Sequence, residues 1–258
     1  IGRVSFEKRF SAVVSNREDL LTCLKEKVIT FHQSQNNSAF TKIAFLFSGQ
    51  GSQYSKMASS LYSTCSEYRK VFDICNSVFI DTYKESLVDI IFSGEESLLN
   101  QTRITQPALF ALEVSLAKYW IYLGVVPSYL MGHSLGEYAA ACIAEVFSME
   151  DGMRLVIARS RLMDSLQSKG GMLSVALSYE KCLSLIKGKQ AWVAAINGPE
   201  SIVLSGSFED LNDISAHLEK ENIRFKFLSV SHAFHSPQMN DMINDFRKVL
   251  EEIVLRPP

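Results

Sequence analysis

A chain of 258 residues, 47% hydrophobic and 21% charged, has enough apolar content for one large domain or for a large and a small one. Its formal net charge of -2 excludes a global basic field for nucleic acid or anionic membrane, and no apolar run approaches the ~20 residues that span a bilayer. Five scattered cysteines (Cys23, Cys65, Cys75, Cys142 and Cys182), with no C-x-x-C among them, argue against a disulfide framework or a zinc site and fit a reducing cytosol.

In chain order, Ile1, Gly2 and Arg3 open the sequence without a methionine, and the charges of Arg3, Glu7, Lys8 and Arg9 come too early for a signal peptide. The chain is therefore expected to be a piece of a longer protein. Residues 1–38 read as an appendage. Asn16 is placed to cap a helix over about 17–32 with Leu20, Leu21, Leu24 and Val28 on one face, and the polar residues 33–38 read as a linker. The apolar run 43–47 predicts a buried strand that meets a glycine loop over 48–53. Helical patterns fill 55–93. A further helix is expected over 105–123, with Pro107 in its first turn. A short strand over 128–131 leads into an alanine-rich helix over 135–145. A longer helix over 149–168 is expected to stop at Gly170 and Gly171.

From 171 the rhythm changes to strand (172–177), helix (179–187), strand (191–196), strand (201–205), helix (208–221) and strand (224–230). That β-α-β-β-α-β order is the ferredoxin-like signature and predicts a small subdomain inserted into a larger α/β one. The chain then returns through His232 to His235 and a helix near 237–252.

Gly132, His133, Ser134, Leu135 and Gly136 match G-x-S-x-G between a strand and a helix. Small flanking residues permit the strained turn that exposes a nucleophilic serine, and the helix N-terminus behind it offers free N–H groups to an oxyanion. A plain structural Gly-Ser turn is the competing reading. A serine hydroxyl needs a base, and there are five histidines. His32 and His217 sit in polar helical surroundings and read as surface residues. His133 adjoins the serine, should point away from it and reads as a packing residue. His232 and His235 follow a strand roughly a hundred positions downstream; alone, such a pair is more often structural, but its place at the return of the chain makes His235 the candidate base. In the helix over 149–168, Arg159 falls on the apolar face of Val156 and Met163, whereas Arg154 and Arg161 project elsewhere. A buried guanidinium needs a partner. An internal ion pair, a snorkelling side chain and a substrate carboxylate all remain open as explanations.

These motifs converge on one family. The chain resembles the malonyl-CoA:acyl-carrier-protein transacylases, above all the acyltransferase domains of modular polyketide synthases. The matching stretches are Phe45 to Tyr54, Thr105 to Leu109, Gly132 to Tyr138, Arg159, Asn197 to Pro199 and His232 to Pro237. The resemblance runs from about residue 40 to the end. It implies an α/β fold: an α/β-hydrolase-like large subdomain (39–170 and 231–258) with an inserted ferredoxin-like small subdomain (171–230), after a ketosynthase-to-acyltransferase linker remnant (1–38). It implies Ser134 as nucleophile and His235 as base and acid, with the amides of Gln50 and Leu135 as oxyanion hole. Arg159 is implied to grip a substrate carboxylate, with Gln106 and His133 lining the site. Malonyl-CoA is the implied substrate, with no covalently bound cofactor and no metal, and with the phosphopantetheine thiol supplied by an acyl carrier protein. Other polyketide synthase domains are the remaining implied partners, in the cytoplasm, with no nucleic acid or membrane partner.

Phe234 in the His-Ala-Phe-His segment and Leu135 after the serine resemble the malonyl-selective members, Phe234 filling the volume that an α-methyl group needs. The sequence departs from stand-alone members at Ser48, where they carry proline. The family also continues past Pro258, with segments expected to supply a carbonyl that orients the catalytic histidine. An acyl-thioester serine hydrolase or editing enzyme on the same dyad, and a non-catalytic docking module, are the alternatives.

Overall fold

The computed structural model of the protein describes residues 8–9, 13–25, 32–33 and 42–258, which divide into two compact units, residues 1–42 and 43–258. In the first, β1 (Lys8–Arg9) pairs antiparallel with β2 (His32–Gln33), and α1 (Arg17–Lys25) lies between them in sequence. Asn16 caps α1: its Oδ1 accepts the Asp19 amide at 2.9 Å. The expected continuation of this helix to His32 is corrected, because His32 stands in β2. Residues 26–31 lie outside the described residues. The linker expected over 33–38 is corrected at Gln33, which stands in β2, and its remainder, 34–38, lies outside the described residues.

In the second unit, β3 (Ala44–Phe47) and β4 (Tyr129–Gly132) form a parallel pair in the register Ala44 with Tyr129 to Phe47 with Gly132. Between them run α2 (Ser59–Thr64), α3 (Ser66–Tyr83), α4 (Leu87–Ser93), α5 (Glu96–Leu99) and α6 (Thr102–Tyr122). The strand pair follows the two-residue period of extended chain: Phe45, Phe47 and Leu130 turn toward the core, while Leu46, Tyr129 and Met131 are exposed. The strand over 43–47 is thus buried on one face rather than two. Helix α6 is buried along thirteen of its residues, because it runs through the middle of a cluster that includes Phe72, Phe79, Phe110 and Val114. It begins at Thr102, three residues before the expected start, since the Ile104 and Thr105 amides both reach the Gln101 carbonyl. Pro107 therefore sits in the second turn rather than the first.

Two further helices complete this part, α7 (Gly136–Ile143) and α8 (Met149–Ser165). Ser148 caps α8 by accepting the Asp151 amide at 3.0 Å. The helix stops at Ser165, with Leu166 already extended (ψ 133°). The expected glycine stop is corrected: Gly171 is instead the first residue of the next strand.

There follow β5 (Gly171–Val175), α9 (Tyr179–Leu185), β6 (Ala191–Gly198), β7 (Ser201–Gly206), α10 (Phe208–Lys220) and β8 (Phe225–Phe227). The four strands make one antiparallel sheet in the order β6-β7-β5-β8. One face buries Leu173, Val175, Ile202 and Leu204 against Cys182 of α9 and Leu211, Ile214 and Leu218 of α10. The other face, with Met172 and Val203, joins Met163, Leu166, Phe234 and Met242 in a third cluster. Strand alternation thus gives the sheet one face for its own helices and one for the rest of the unit. A 3-10 turn (Pro237–Met239) and α11 (Asn240–Glu251) bring the chain back. No helix among the described residues is long and apolar enough to cross a membrane.

Candidate active site

Between the end of β4 at Gly132 and the start of α7 at Gly136, the chain reverses within three residues. A Cβ on Gly132 would overlap the Glu137 amide nitrogen, and one on Gly136 would overlap the Phe47 carbonyl. Both positions demand glycine for space. The turn is pinned by His133 N–H to Phe47 O (2.9 Å), Gly136 N–H to His133 O (3.0 Å) and Glu137 N–H to Ser134 O (3.2 Å). Ser134 is held at φ 54°, a left-handed conformation that costs a side-chain-bearing residue about 1–3 kcal/mol. The strain raises its Oγ out of the turn into a cleft of about 790 Å³ between this strand-turn-helix and the open face of the four-stranded sheet.

Across the cleft, His235 Nε2 lies 2.7 Å from Ser134 Oγ. His235 is itself at φ 58°. Its loop is fixed by Ser236, whose Oγ donates to the Ala233 carbonyl at 2.6 Å and accepts the Gln238 amide at 3.3 Å. Partial burial first, and then the positive charge of Arg159 and the neighbouring His133, push the His235 pKa below its ordinary value. A neutral imidazole within hydrogen-bond reach of a serine hydroxyl is a competent base.

Arg159, from α8, is buried and points into the same cleft. Its Nη1 donates to Gln106 Oε1 at 2.6 Å. Its guanidinium also stands 5.7 Å from the centre of the Tyr138 ring. Burial lowers its pKa, partly opposed by Tyr138. Among the described residues, no Asp or Glu lies within ion-pair distance of this guanidinium. Within those residues the two alternatives of an internal ion pair and a snorkelling side chain are therefore removed: the charge is buried, neutrally hydrogen-bonded and without a counter-ion among them. Arg154 and Arg161 are exposed, as their helical phase predicts.

Gln106 is buried and completes the floor, its Nε2 reaching Gln50 Oε1 at 3.4 Å. The backbone amides of Gln50 and Leu135 donate to no protein acceptor among the described residues, and both residues line the cleft. Phe234 is buried and closes one wall beside Met163 and Met172.

His133 requires a correction. It is exposed rather than packed, and its Nε2 hydrogen-bonds Asn197 Oδ1 of β6 at 3.1 Å, tying the nucleophile turn to the four-stranded sheet. His232 is wholly buried, with Nδ1 on Ser231 Oγ (2.8 Å) and Nε2 near both the Leu166 carbonyl and Lys169 Nζ (3.1 Å each). It holds the two chain crossings together and lies away from the serine. His217 is exposed on α10.

Sequence reasoning did not single out Tyr138, whose ring faces the Arg159 guanidinium, or Asn197, which holds His133. Tyr138 had a local signal, being one large polar-tipped ring in a helix otherwise built on alanine. Asn197 had none beyond its motif.

The acyl transferase domain family matches residues 44–258. The chain is 36% identical over 266 residues to the phenolphthiocerol synthesis polyketide synthase type I Pks15/1 of Mycobacterium marinum, with all of this chain and 12% of that protein covered. The chain thus spans about an eighth of that relative's length. Among solved structures, it is similar to the acyltransferase domain from the second module of the salinomycin polyketide synthase (37% identity, TM-score 0.87, 98% of this chain and 61% of that one). It is also similar to a malonyl CoA-acyl carrier protein transacylase from Clostridium perfringens (28% identity, TM-score 0.77, 84% and 69%).

Proposed function

The chain belongs to the acyl transferase domain family, and on that premise we propose that it loads a malonyl unit from malonyl-CoA onto the phosphopantetheine thiol of an acyl carrier protein, through an ester on Ser134. One observation carries the reading: a Ser134–His235 pair at 2.7 Å shares its cleft with a buried guanidinium that has no counter-ion among the described residues.

The free carboxylate of malonyl-CoA pairs with Arg159, whose planar fork suits two parallel hydrogen bonds. His235 takes the Ser134 proton as Oγ attacks the thioester carbonyl. The Gln50 and Leu135 amides receive the oxyanion, each such donor being worth about 3–4 kcal/mol of barrier. Collapse of the tetrahedral intermediate expels the coenzyme A thiolate, which takes the proton from His235. The carrier thiol then attacks the ester, and His235 serves again as base and acid in the reverse sense. Phe234 occupies the space an α-methyl substituent requires.

In this reading the parallel strand pair and its helices are the core of an α/β-hydrolase-like large subdomain. Residues 171–230 are the ferredoxin-like small subdomain that carries the cleft's other wall. Residues 1–38 correspond to a linker after a ketosynthase, and the remaining partners are other domains of a polyketide synthase. The structures of a salinomycin synthase acyltransferase domain and of a malonyl CoA-acyl carrier protein transacylase, to which the chain is similar, support it.

Intact-mass spectrometry after incubation with malonyl-CoA tests the proposal. A malonyl adduct is expected on the wild type and absent from Ser134→Ala, and carrier protein should remove it by transfer. Rapid release of free malonate with no transfer would favour a hydrolase.

A further inference from the structure

The loop between β3 and α2 brings Gln50 to the cleft, and the structure shows what holds its two ends. At the far end, Gln53 Nε2 donates to Asn100 Oδ1 at 2.7 Å, and Gln53 Oε1 accepts the Gly51 amide at 2.8 Å. At the near end, both donors of Ser48 converge on one oxygen from α6. Glu113 Oε1 accepts the Ser48 amide at 2.8 Å and the Ser48 hydroxyl at 2.6 Å. The Ser48 Oγ in turn meets Ser52 Oγ at 2.8 Å, and Ser52 Oγ donates to the Gly49 carbonyl at 3.0 Å. Gln50 lies inside this ring of bonds and contributes none of them from its own backbone N–H.

Glu113 is an unusual residue for its place. It is only 7% exposed, between Leu112 and Val114 on a helix that is buried nearly all round. Among the described residues, it has no cation within ion-pair distance, and its Oε2 has no hydrogen-bond partner. A carboxyl in such surroundings is costly for stability, and an apolar residue of similar size would cost less. Its contacts all go to the root of the loop that presents Gln50.

We propose that Glu113 is a positioning residue of the active site: from α6 it clamps the backbone and side chain of Ser48 and so sets where the Gln50 amide stands in the cleft. The proposal rests on the reading of that amide as an oxyanion donor. Burial raises the Glu113 carboxyl to about 7, with the two Ser48 bonds pulling the other way, so both protonation states are accessible near neutrality. Each state keeps an acceptor oxygen for Ser48. A glutamine, whose amide oxygen accepts in the same geometry, therefore preserves the clamp, while an alanine abolishes it.

Two measurements on the full chain decide the matter. The first is the rate of malonyl adduct formation on Ser134, followed by quench-flow and intact mass against malonyl-CoA concentration. Glu113→Ala is expected to lower the maximal acylation rate on the order of 10–100-fold, since a misplaced donor costs what a small displacement of catalytic geometry costs. The half-saturating malonyl-CoA concentration should move less than about 3-fold, because Arg159 still holds the substrate. Glu113→Gln should stay within about 3-fold of wild type on both. Ser48→Ala and Glu113→Ala should be non-additive when combined, as residues of one network are. A Glu113→Gln variant as slow as Glu113→Ala, a half-saturation that rises in step with the rate loss, or strict additivity overturns the proposal.

The second measurement is hydrogen exchange of the Gly49–Gln53 amides, which is independent of any substrate. It should accelerate about 10-fold or more in Glu113→Ala and stay near wild type in Glu113→Gln. Unchanged exchange in Glu113→Ala overturns the clamp even if the wild type forms no adduct. That absence, by contrast, overturns the acyl-transfer reading alone.

Discussion

Ser134 and His235 are held at φ 54° and 58°, left-handed conformations that neither residue type favours, and both face one cleft. Strain at two facing positions, each fixed by its own short hydrogen bonds, is what keeps Oγ and Nε2 at 2.7 Å. Because the His235 pKa is depressed, the base is already neutral at pH 7. The acylation rate constant is expected to rise with pH through one limb whose midpoint lies below the ordinary imidazole value of 6.5 and then to level off. A quench-flow profile whose limb falls at or above that value would contradict this assignment. Removing the buried charge by Arg159→Ala should lower kcat/KM for malonyl-CoA on the order of 100-fold or more and spare acetyl-CoA, which has no carboxylate to lose. Equal losses on the two thioesters would mean that Arg159 serves structure instead. Phe234 is a weaker discriminator. One methyl group in a pocket is worth about 1–3 kcal/mol, so Phe234→Ser should raise the methylmalonyl-to-malonyl loading ratio roughly 5- to 100-fold in a competition assay, and an unchanged ratio would refute its role.

Among the elements, the turn between β4 and α7 was the most legible in advance. At Gly132 its demand for glycine is local, since a Cβ would overlap the Glu137 amide, while at Gly136 the demand comes from the neighbouring strand, whose Phe47 carbonyl a Cβ would overlap. Gly136→Ala is expected to yield little folded protein or a large loss of thermal stability, whereas Ser148→Ala, which removes only the α8 cap, should cost about 1 kcal/mol in urea unfolding. Comparable losses would show that the turn tolerates rearrangement. The strand-helix order over 171–230 was readable for a related reason, since period-two and helical patterns alternate cleanly there. Element ends were not. Leu166 leaves the helix by turning extended, with no glycine at its stop, and Gln101 starts α6 earlier because its carbonyl collects two amides. Such choices depend on hydrogen bonds and packing that propensity does not encode.

Over the whole molecule, Glu113 stands out as a carboxyl buried among the apolar residues of α6 with, among the described residues, no cation within ion-pair distance. A carboxyl raised to about 7 in the folded state binds a proton that the unfolded chain, near its ordinary value of 4.5, has released. The folded state then holds more protons between roughly pH 4.5 and 7, so this group's contribution to stability falls as pH rises through that window. Glu113→Gln should remove that slope and be more stable than wild type above pH 7 by about 2–3 kcal/mol. Chemical denaturation at pH 5 and pH 8 checks it, and an equal difference at the two pH values would refute it. The sequence by itself determined the strand-turn-helix around Ser134, the inward phase of Arg159 and the β-α-β-β-α-β order, because each follows from steric or periodic rules acting within a few residues. Only the tertiary structure decided that His235 rather than His232 meets the serine, that Arg159 rests on Gln106 and that Glu113 grips Ser48. Those contacts join positions 101, 53 and 65 residues apart, and the distance between such positions is set by how whole layers pack rather than by any local pattern.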